Sequence, residues 1–224
     1  MLLDRIGPAP WKSGIVVGLI EPSGRRVIGV GARALGDAGP MDADTLFEIG
    51  SITKVFTSLL LSDAVGRNEV SLDDPVAKLL PASVHVPERG RAITLVDLAT
   101  HTSGLPRLPS NLQPAHPRDP YADYSVDQLY QFLSGYSLPR DVGASYEYSN
   151  LGGGLLGHAL ALRLGENYEA LVRSRIAAPL GMPSTVVTLT PELKARLATA
   201  HDEAGEPTDN WNLPTLAGAG ALRS

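Results

Sequence analysis

Two apolar, β-branched runs, Gly14 to Glu21 and Arg26 to Val30, flank the turn residues Pro22-Ser23-Gly24 and read as a β-hairpin. Gly36 to Asp44 reads as loop, and Thr45 to Ile49 leads into a different pattern. The apolar run Val55 to Val65 has helical period, reads as a buried helix and is ended by Gly66. On a helical projection Ser51, Lys54, Ser58 and Ser62 form one polar stripe, while Ile52, Val55, Phe56, Leu59, Leu60 and Ala64 cover most of the rest. Ser71-Leu72-Asp73-Asp74-Pro75 starts a short helix that Pro81 stops. Thr94-Leu95-Val96-Asp97 resembles a capping box and opens a helix that Gly104 terminates. Leu105 to Pro120, with five prolines, predicts a long loop of the kind that often forms a lid or binding loop. Ser125-Val126-Asp127-Gln128 caps a helix ending near Gly135. Leu151 to Leu164 and Tyr168 to Ala178 are two further helices with Gly165 between them, and Pro191 opens another that lasts to about Ala200. One hairpin beside so many helices is an imbalance, because two strands alone are marginal in water. Ile15, Val16, Val17, Val27, Ile28 and Val30 look suited to a larger sheet.

Composition narrows the class. The chain has 224 residues, 43% hydrophobic and 19% charged, which suits a globular protein with a real core. A net charge of −5 without a Lys/Arg block argues against nucleic acid as a partner. No cysteine is present, so disulfides, thiolate zinc sites and thiol nucleophiles are excluded. The start, Met1-Leu2-Leu3-Asp4-Arg5, does not read as a signal peptide, and no run approaches transmembrane length. Localisation is left open, cytoplasmic by default.

Candidate chemistry begins at Ser51-Ile52-Thr53-Lys54. A serine that merely capped a helix would be followed three residues later by Glu or Gln, which suits the positive end of the helix dipole. Here that place holds a lysine. Residues three apart on a helix share a face, and desolvation together with the dipole would favour a neutral amine, which is what a serine nucleophile with a lysine base requires. The alternative at this level is an N-cap serine followed by a surface lysine. A second constellation is Tyr146-Glu147-Tyr148-Ser149-Asn150 before a glycine-rich helix. Strand alternation puts Tyr146 and Tyr148 on one side, with Glu147 and Ser149 on the other. Read plainly, Tyr148 is a buried tyrosine and Asn150 an N-cap.

The two sites together resemble the serine β-lactamase and DD-peptidase superfamily, closest to the class C β-lactamase branch with its related esterases and D-amino-acid peptidases. The resemblance rests on Phe47 to Lys54, Ser71-Leu72-Asp73-Asp74-Pro75-Val76, Ile93 to Pro106, Tyr146 to Asn150, Pro179-Leu180-Gly181-Met182 and Leu216 to Ser224, in family order. It implies an α+β fold of the β-lactamase/transpeptidase type. Residues 1–45 would be the hairpin part of the α/β domain, 46–200 the helical domain carrying both motifs, and 201–224 a return segment. It implies Ser51 as acylated nucleophile, Lys54 and Tyr148 as its proton-transfer partners, and Asn150 as a substrate-binding residue that helps place the lysine. The substrate would be a small ester, β-lactam or D-amino-acid amide, with no metal or other cofactor and no membrane partner. Many relatives are exported.

Two departures are visible. Gly153 stands where the family often has an aromatic residue. The family's third motif, a Lys/His-x-Gly strand that supplies the second oxyanion donor, has no counterpart in these 224 residues. Losing one such donor costs about 10²–10³ in turnover. The expectation is therefore a truncated member, one completed by a second copy or another chain, or a catalytically impaired remnant that binds without turnover. Of the histidines, His85, His101, His116, His158 and His201, no pair has metal-ligand spacing, and His101 reads as a helix-end residue bonding the last carbonyls. No Gly-x-Ser-x-Gly elbow supports a Ser-His-Asp triad.

Overall fold

A computed structural model of the chain describes residues 14–33 and 41–224. The expected N-terminal stretch Met1–Arg5 and residues 36–40 of the expected loop lie outside the described residues. The chain falls into two compact units. One holds the described residues up to Phe47 together with Leu189–Asn210, and the other Glu48–Thr188 with Trp211–Ser224.

In the first unit, β1 (Gly14–Glu21) and β2 (Gly24–Gly31) pair antiparallel, with Val17 opposite Ile28 and Glu21 opposite Gly24. Gly24 takes φ 124°, a conformation open to glycine, to close the two-residue turn at Pro22-Ser23. Ile20 and Val27 on one face and Ile28 on the other are exposed among the described residues. The helix that opens at Pro191 is shorter than the sequence suggests. It spans Pro191–Lys194 rather than reaching Ala200. The following residues give their backbone groups to other partners: Leu46 N–H donates to Arg196, and Ala198 and Thr199 N–H donate to Leu46 and Arg33.

The second unit is helical. After a 3₁₀ turn at Gly50–Ile52, α1 runs Thr53–Gly66. A 3₁₀ turn at Val76–Leu79 precedes α2 (Leu95–Ala99), α3 (Val126–Gly135) and α4 (Asn150–Leu164). Next come α5 (Tyr168–Val172), which widens into a π turn over Arg173–Ala177, and α7 (Ala217–Gly220), with α6 the Pro191–Lys194 helix of the first unit. Helix α4 is apolar all round, with Leu151 to Gly157 buried, as befits a central helix. It packs against α1, α2, α5 and α7. Its C-terminus is closed by Gly165 at φ 72°. Both capping boxes form, Thr94 with Asp97 and Ser125 with Gln128.

Two further expectations are corrected. Helix α2 stops at Ala99, well before Gly104, because His101 adopts φ 60° and Thr102 N–H turns back onto the Asp97 carbonyl. Helix α1 is not buried all round. Its inward stripe is Thr53, Thr57, Leu60, Leu61 and Ala64, whereas Ile52, Val55 and Leu59 are 58%, 57% and 46% exposed. The buried threonines are satisfied: Thr57 Oγ1 bonds the carbonyls of Thr53 and Gly218 and the Tyr168 hydroxyl, and Thr53 Oγ1 accepts Leu222 N–H. No helix among the described residues is long and apolar enough to cross a membrane.

Candidate active site

Gly50, at φ 51°, turns the chain into the 3₁₀ turn that opens α1 and sets Ser51 at its exposed edge. One turn on, the Lys54 side chain points back along the helix and spends all three ammonium protons. Nζ donates to Ser51 Oγ at 3.3 Å, Asn150 Oδ1 at 2.8 Å and the Ala219 carbonyl at 2.7 Å. The extended segment before α4 brings Tyr148, whose hydroxyl donates to Ser51 Oγ at 2.7 Å. Lys54 Nζ lies 4.9 Å from the centre of the Tyr148 ring, and the Arg107 guanidinium 5.3 Å from it on that same π system. Lys54 and Tyr148 thus meet on the Ser51 hydroxyl oxygen, and Asn150 joins them through the lysine.

Neighbouring residues explain why they meet. The cap of α4 is Ser149, which accepts Gly152 N–H at 2.8 Å; Asn150 is therefore the first helical residue, with its side chain released to hold Lys54. The strand alternation holds at this segment. Tyr146 and Tyr148 both face His101, while Glu147 pairs with Arg140 and Ser149 is buried. The start of the proline-rich stretch anchors the same corner. Pro106 O accepts the Ser149 hydroxyl, and Arg107 O accepts the Asn150 and Leu151 amides.

Three contributors were not legible as such. Ala219 supplies a carbonyl from α7, and α7 lies this close because Gly154, Gly157 and Gly218 leave no side chain between the two backbones. Gly153 leaves room for the lysine stem, since a Cβ there would sit 3.0 Å from Lys54 Cε. His101 does not cap α2; its Nδ1 accepts Ser149 N–H at 3.1 Å and its ring rests on Tyr148 at 4.5 Å. The glycine run and the Thr-His-Thr-Ser segment were the available signals, but neither says what it will touch.

The electrostatics prepare a proton exchange. Burial pushes Lys54 below the ordinary lysine value, with Arg107 adding to the effect and the Tyr148 phenol opposing it. Burial alone would push Tyr148 up. Its interactions with Lys54 and with the Ser51 hydroxyl, together with the positive charge of Lys54 and Arg107, outweigh it and hold the phenol below its ordinary value. Fully protonated, both partners donate to Ser51. Removing one proton from the pair reverses one of those bonds, so that Ser51 becomes a donor and its oxygen gains nucleophilic character. Along α1 an open groove of about 360 Å³, lined by Lys54, Val55, Ser58 and Leu59, adjoins this cluster. Among the described residues no three His, Asp or Glu side chains gather as a metal site would need.

A family model described as Beta-lactamase matches residues 7–224. The D-alanyl-D-alanine-carboxypeptidase/endopeptidase AmpH of Escherichia coli K12 is 34% identical over 222 residues, covering 97% of this chain and 55% of that protein. Esterase EstB of Burkholderia gladioli is 40% identical over 83 residues, 36% of this chain and 21% of the esterase. Among solved structures, a beta-lactamase/D-alanine carboxypeptidase from Yersinia pestis complexed with citrate superposes with a TM-score of 0.84 at 32% identity, covering all of this chain and 61% of that one. The chain spans about half the length of the curated relative it matches from end to end.

Proposed function

The chain belongs to the beta-lactamase family and has its α+β fold, and from that premise we propose that it is a serine hydrolase forming an acyl-enzyme on Ser51. The observation that carries this reading is the position of Ser51 Oγ, 2.7 Å from the Tyr148 hydroxyl and 3.3 Å from Lys54 Nζ. The deprotonated Lys54–Tyr148 pair takes the serine proton as Oγ bonds to the substrate carbonyl carbon. The tetrahedral intermediate places its negative oxygen near the Ser51 amide, at the positive start of α1. Collapse breaks the bond to the leaving group, which departs with the proton held by the pair. Water then gives a proton to the same pair as its oxygen bonds to the acyl carbon, and collapse breaks the bond to Ser51 Oγ, which takes that proton back as the acid leaves. Asn150 keeps Lys54 on target during both half-reactions and offers its amide nitrogen to the substrate.

The substrate class follows from what such chemistry cleaves and from the relatives' names, which span carboxypeptidase, beta-lactamase and esterase. It is a small acyl compound: an ester, a β-lactam or a D-amino-acid amide. Incubation with a fluorophosphonate or a penicillin, read by intact mass, tests the reading. The expected result is a single adduct that Ser51→Ala abolishes. A well-folded sample that gives no adduct refutes it, and a stable adduct without turnover leaves acylation in place while removing deacylation.

A further inference from the structure

We propose that His101 is a positioning residue for Tyr148, fixing the phenol on Ser51 through a ring nitrogen that accepts the Ser149 amide; the inference rests on the acyl-transfer reading above. Both amides that flank Tyr148 donate to this one residue. Glu147 N–H reaches the His101 carbonyl at 2.8 Å, and Ser149 N–H reaches His101 Nδ1 at 3.1 Å. The imidazole also lies against the Tyr148 ring, with centroids 4.5 Å apart and planes tilted by 36°, and meets Tyr146 edge-on at 5.7 Å. Backbone and ring of Tyr148 are therefore held from the same side. A phenol has only two side-chain torsions, and this contact limits where its oxygen can go.

His101 occupies the left-handed region, φ 60°, which a non-glycine residue keeps only where its surroundings hold it. The bonds to Glu147 and Ser149 are what hold it. They tie the turn after α2 to the two amides beside Tyr148, so the strained residue and the placed phenol support each other.

The contact also assigns a protonation state. Because Nδ1 accepts, the single ring proton sits on Nε2. A second proton would have to go on Nδ1, where it would face the Ser149 N–H, donor against donor. Lys54 from α1 is the charged group the ring feels, Tyr146 and Tyr148 face it from the segment before α4, and the Glu147 carboxylate is engaged with Arg140. The α2 side offers the apolar Leu98 and Ala99. Burial, then the Lys54 charge, hold the imidazole below the ordinary histidine range. Acidification that does charge it pushes the ring off the Ser149 amide and loosens Tyr148.

The test compares His101→Asn, which tolerates the left-handed backbone and keeps an oxygen acceptor, with His101→Ala, which loses acceptor and ring. Ser51 labelling by a fluorophosphonate is followed across pH, and Tyr148 is titrated by NMR of Cζ-labelled tyrosine, assigned with Tyr148→Phe. His101→Ala should slow labelling by about 10–100-fold, as expected of a small misplacement at a reacting centre. Its Tyr148 titration should return toward the ordinary tyrosine value. His101→Asn should recover most of both, while losing the further fall in rate that protonation of the imidazole adds at acid pH to the one set by the Lys54–Tyr148 pair. Unchanged labelling and an unmoved Tyr148 titration in His101→Ala would overturn the proposal. If His101→Ala does not fold, His101→Asn decides: a rate near wild type whose acid limb shows only the fall set by the Lys54–Tyr148 pair supports it, and persistence of the further fall refutes it. Failure of the wild-type chain to label at Ser51 sinks the acyl-transfer reading instead, and the Tyr148 titration still reports the His101 contact on its own.

Discussion

Replacing Gly157 by alanine should damage the chemistry more than the fold. The added Cβ would lie 2.9 Å from Gly218 Cα and 3.2 Å from both Gly218 N and Tyr168 Cδ2. Carbon atoms in contact prefer about 3.5–4.0 Å, so α7 must withdraw by at least about 0.6 Å. Overpacking of this kind costs about 1–3 kcal/mol, and the better helix propensity of alanine returns up to about 1 kcal/mol. The net loss of stability is then about 0–3 kcal/mol. The carbonyl of Ala219 rides on α7, and at 2.7 Å from Lys54 Nζ it has little slack. A retreat of that size stretches the bond toward the limit of hydrogen bonding. A hydrogen bond to a charged group contributes about 1.5–3 kcal/mol, so Ser51 acylation should slow by about 10–100-fold. Gly66→Ala is the control. Nothing lies within 4 Å of its Cβ, at the last position of α1, and it should be neutral or stabilising by up to about 1 kcal/mol. Denaturant unfolding and the rate of labelling by a fluorophosphonate give the two readouts. Should Gly157→Ala unfold and label like Gly66→Ala, α7 does not depend on bare backbone against α4, and Lys54 does not depend on α7.

Three other outcomes follow from the same geometry. Lys54→Arg can still donate to Asn150 and Ala219 but cannot lose its proton, so labelling of Ser51 should drop by about 10²–10⁴ at unchanged melting temperature; in the wild type the rate should rise with pH through an apparent value below that of an ordinary lysine, read from a pH–rate profile. Gly153→Ala brings a methyl to 3.0 Å from Lys54 Cε and should lower the labelling rate with little change in stability, a split that kinetics and thermal melting separate. Asp97 is buried, yet bonds from Arg91 and from Thr94 overcome that burial and hold it at about 2 against an ordinary 3.8. A carboxylate depressed on folding stabilises the protein above the ordinary value and stops doing so as pH falls through the folded one. About 2 kcal/mol should therefore be lost between pH 3.8 and about 2, and Asp97→Asn, tested by urea unfolding across pH, should remove that dependence and lower stability at neutral pH by about the same amount.

Local signals were readable in the chain and survive in the fold. Ser51 and Lys54 share a face because of helical spacing alone, the capping boxes at Thr94 and Ser125 need only four residues each, and Gly165 closes α4 by its own freedom at positive φ. The hairpin needed only β-branched runs and a turn. Where the reading failed, a distant partner had outbid a local preference. The residues after Lys194 left the helix for Leu46 and Arg33, and His101 ended α2 early by turning toward the segment that carries Tyr148. Ser149 took the cap expected of Asn150, which set that amide free for the lysine.

Amino-acid order alone therefore specified the candidate serine and lysine and the helix that pairs them, since both depend on torsions and spacings within a few residues. It could not specify that a carbonyl 165 residues away completes the ammonium's coordination. Nor could it show that three glycines let α7 touch α4, or that an imidazole steadies the phenol. Those are contacts between surfaces. They exist only once burial has brought separate helices together and the buried donors around Lys54 and Tyr148 have had to find acceptors.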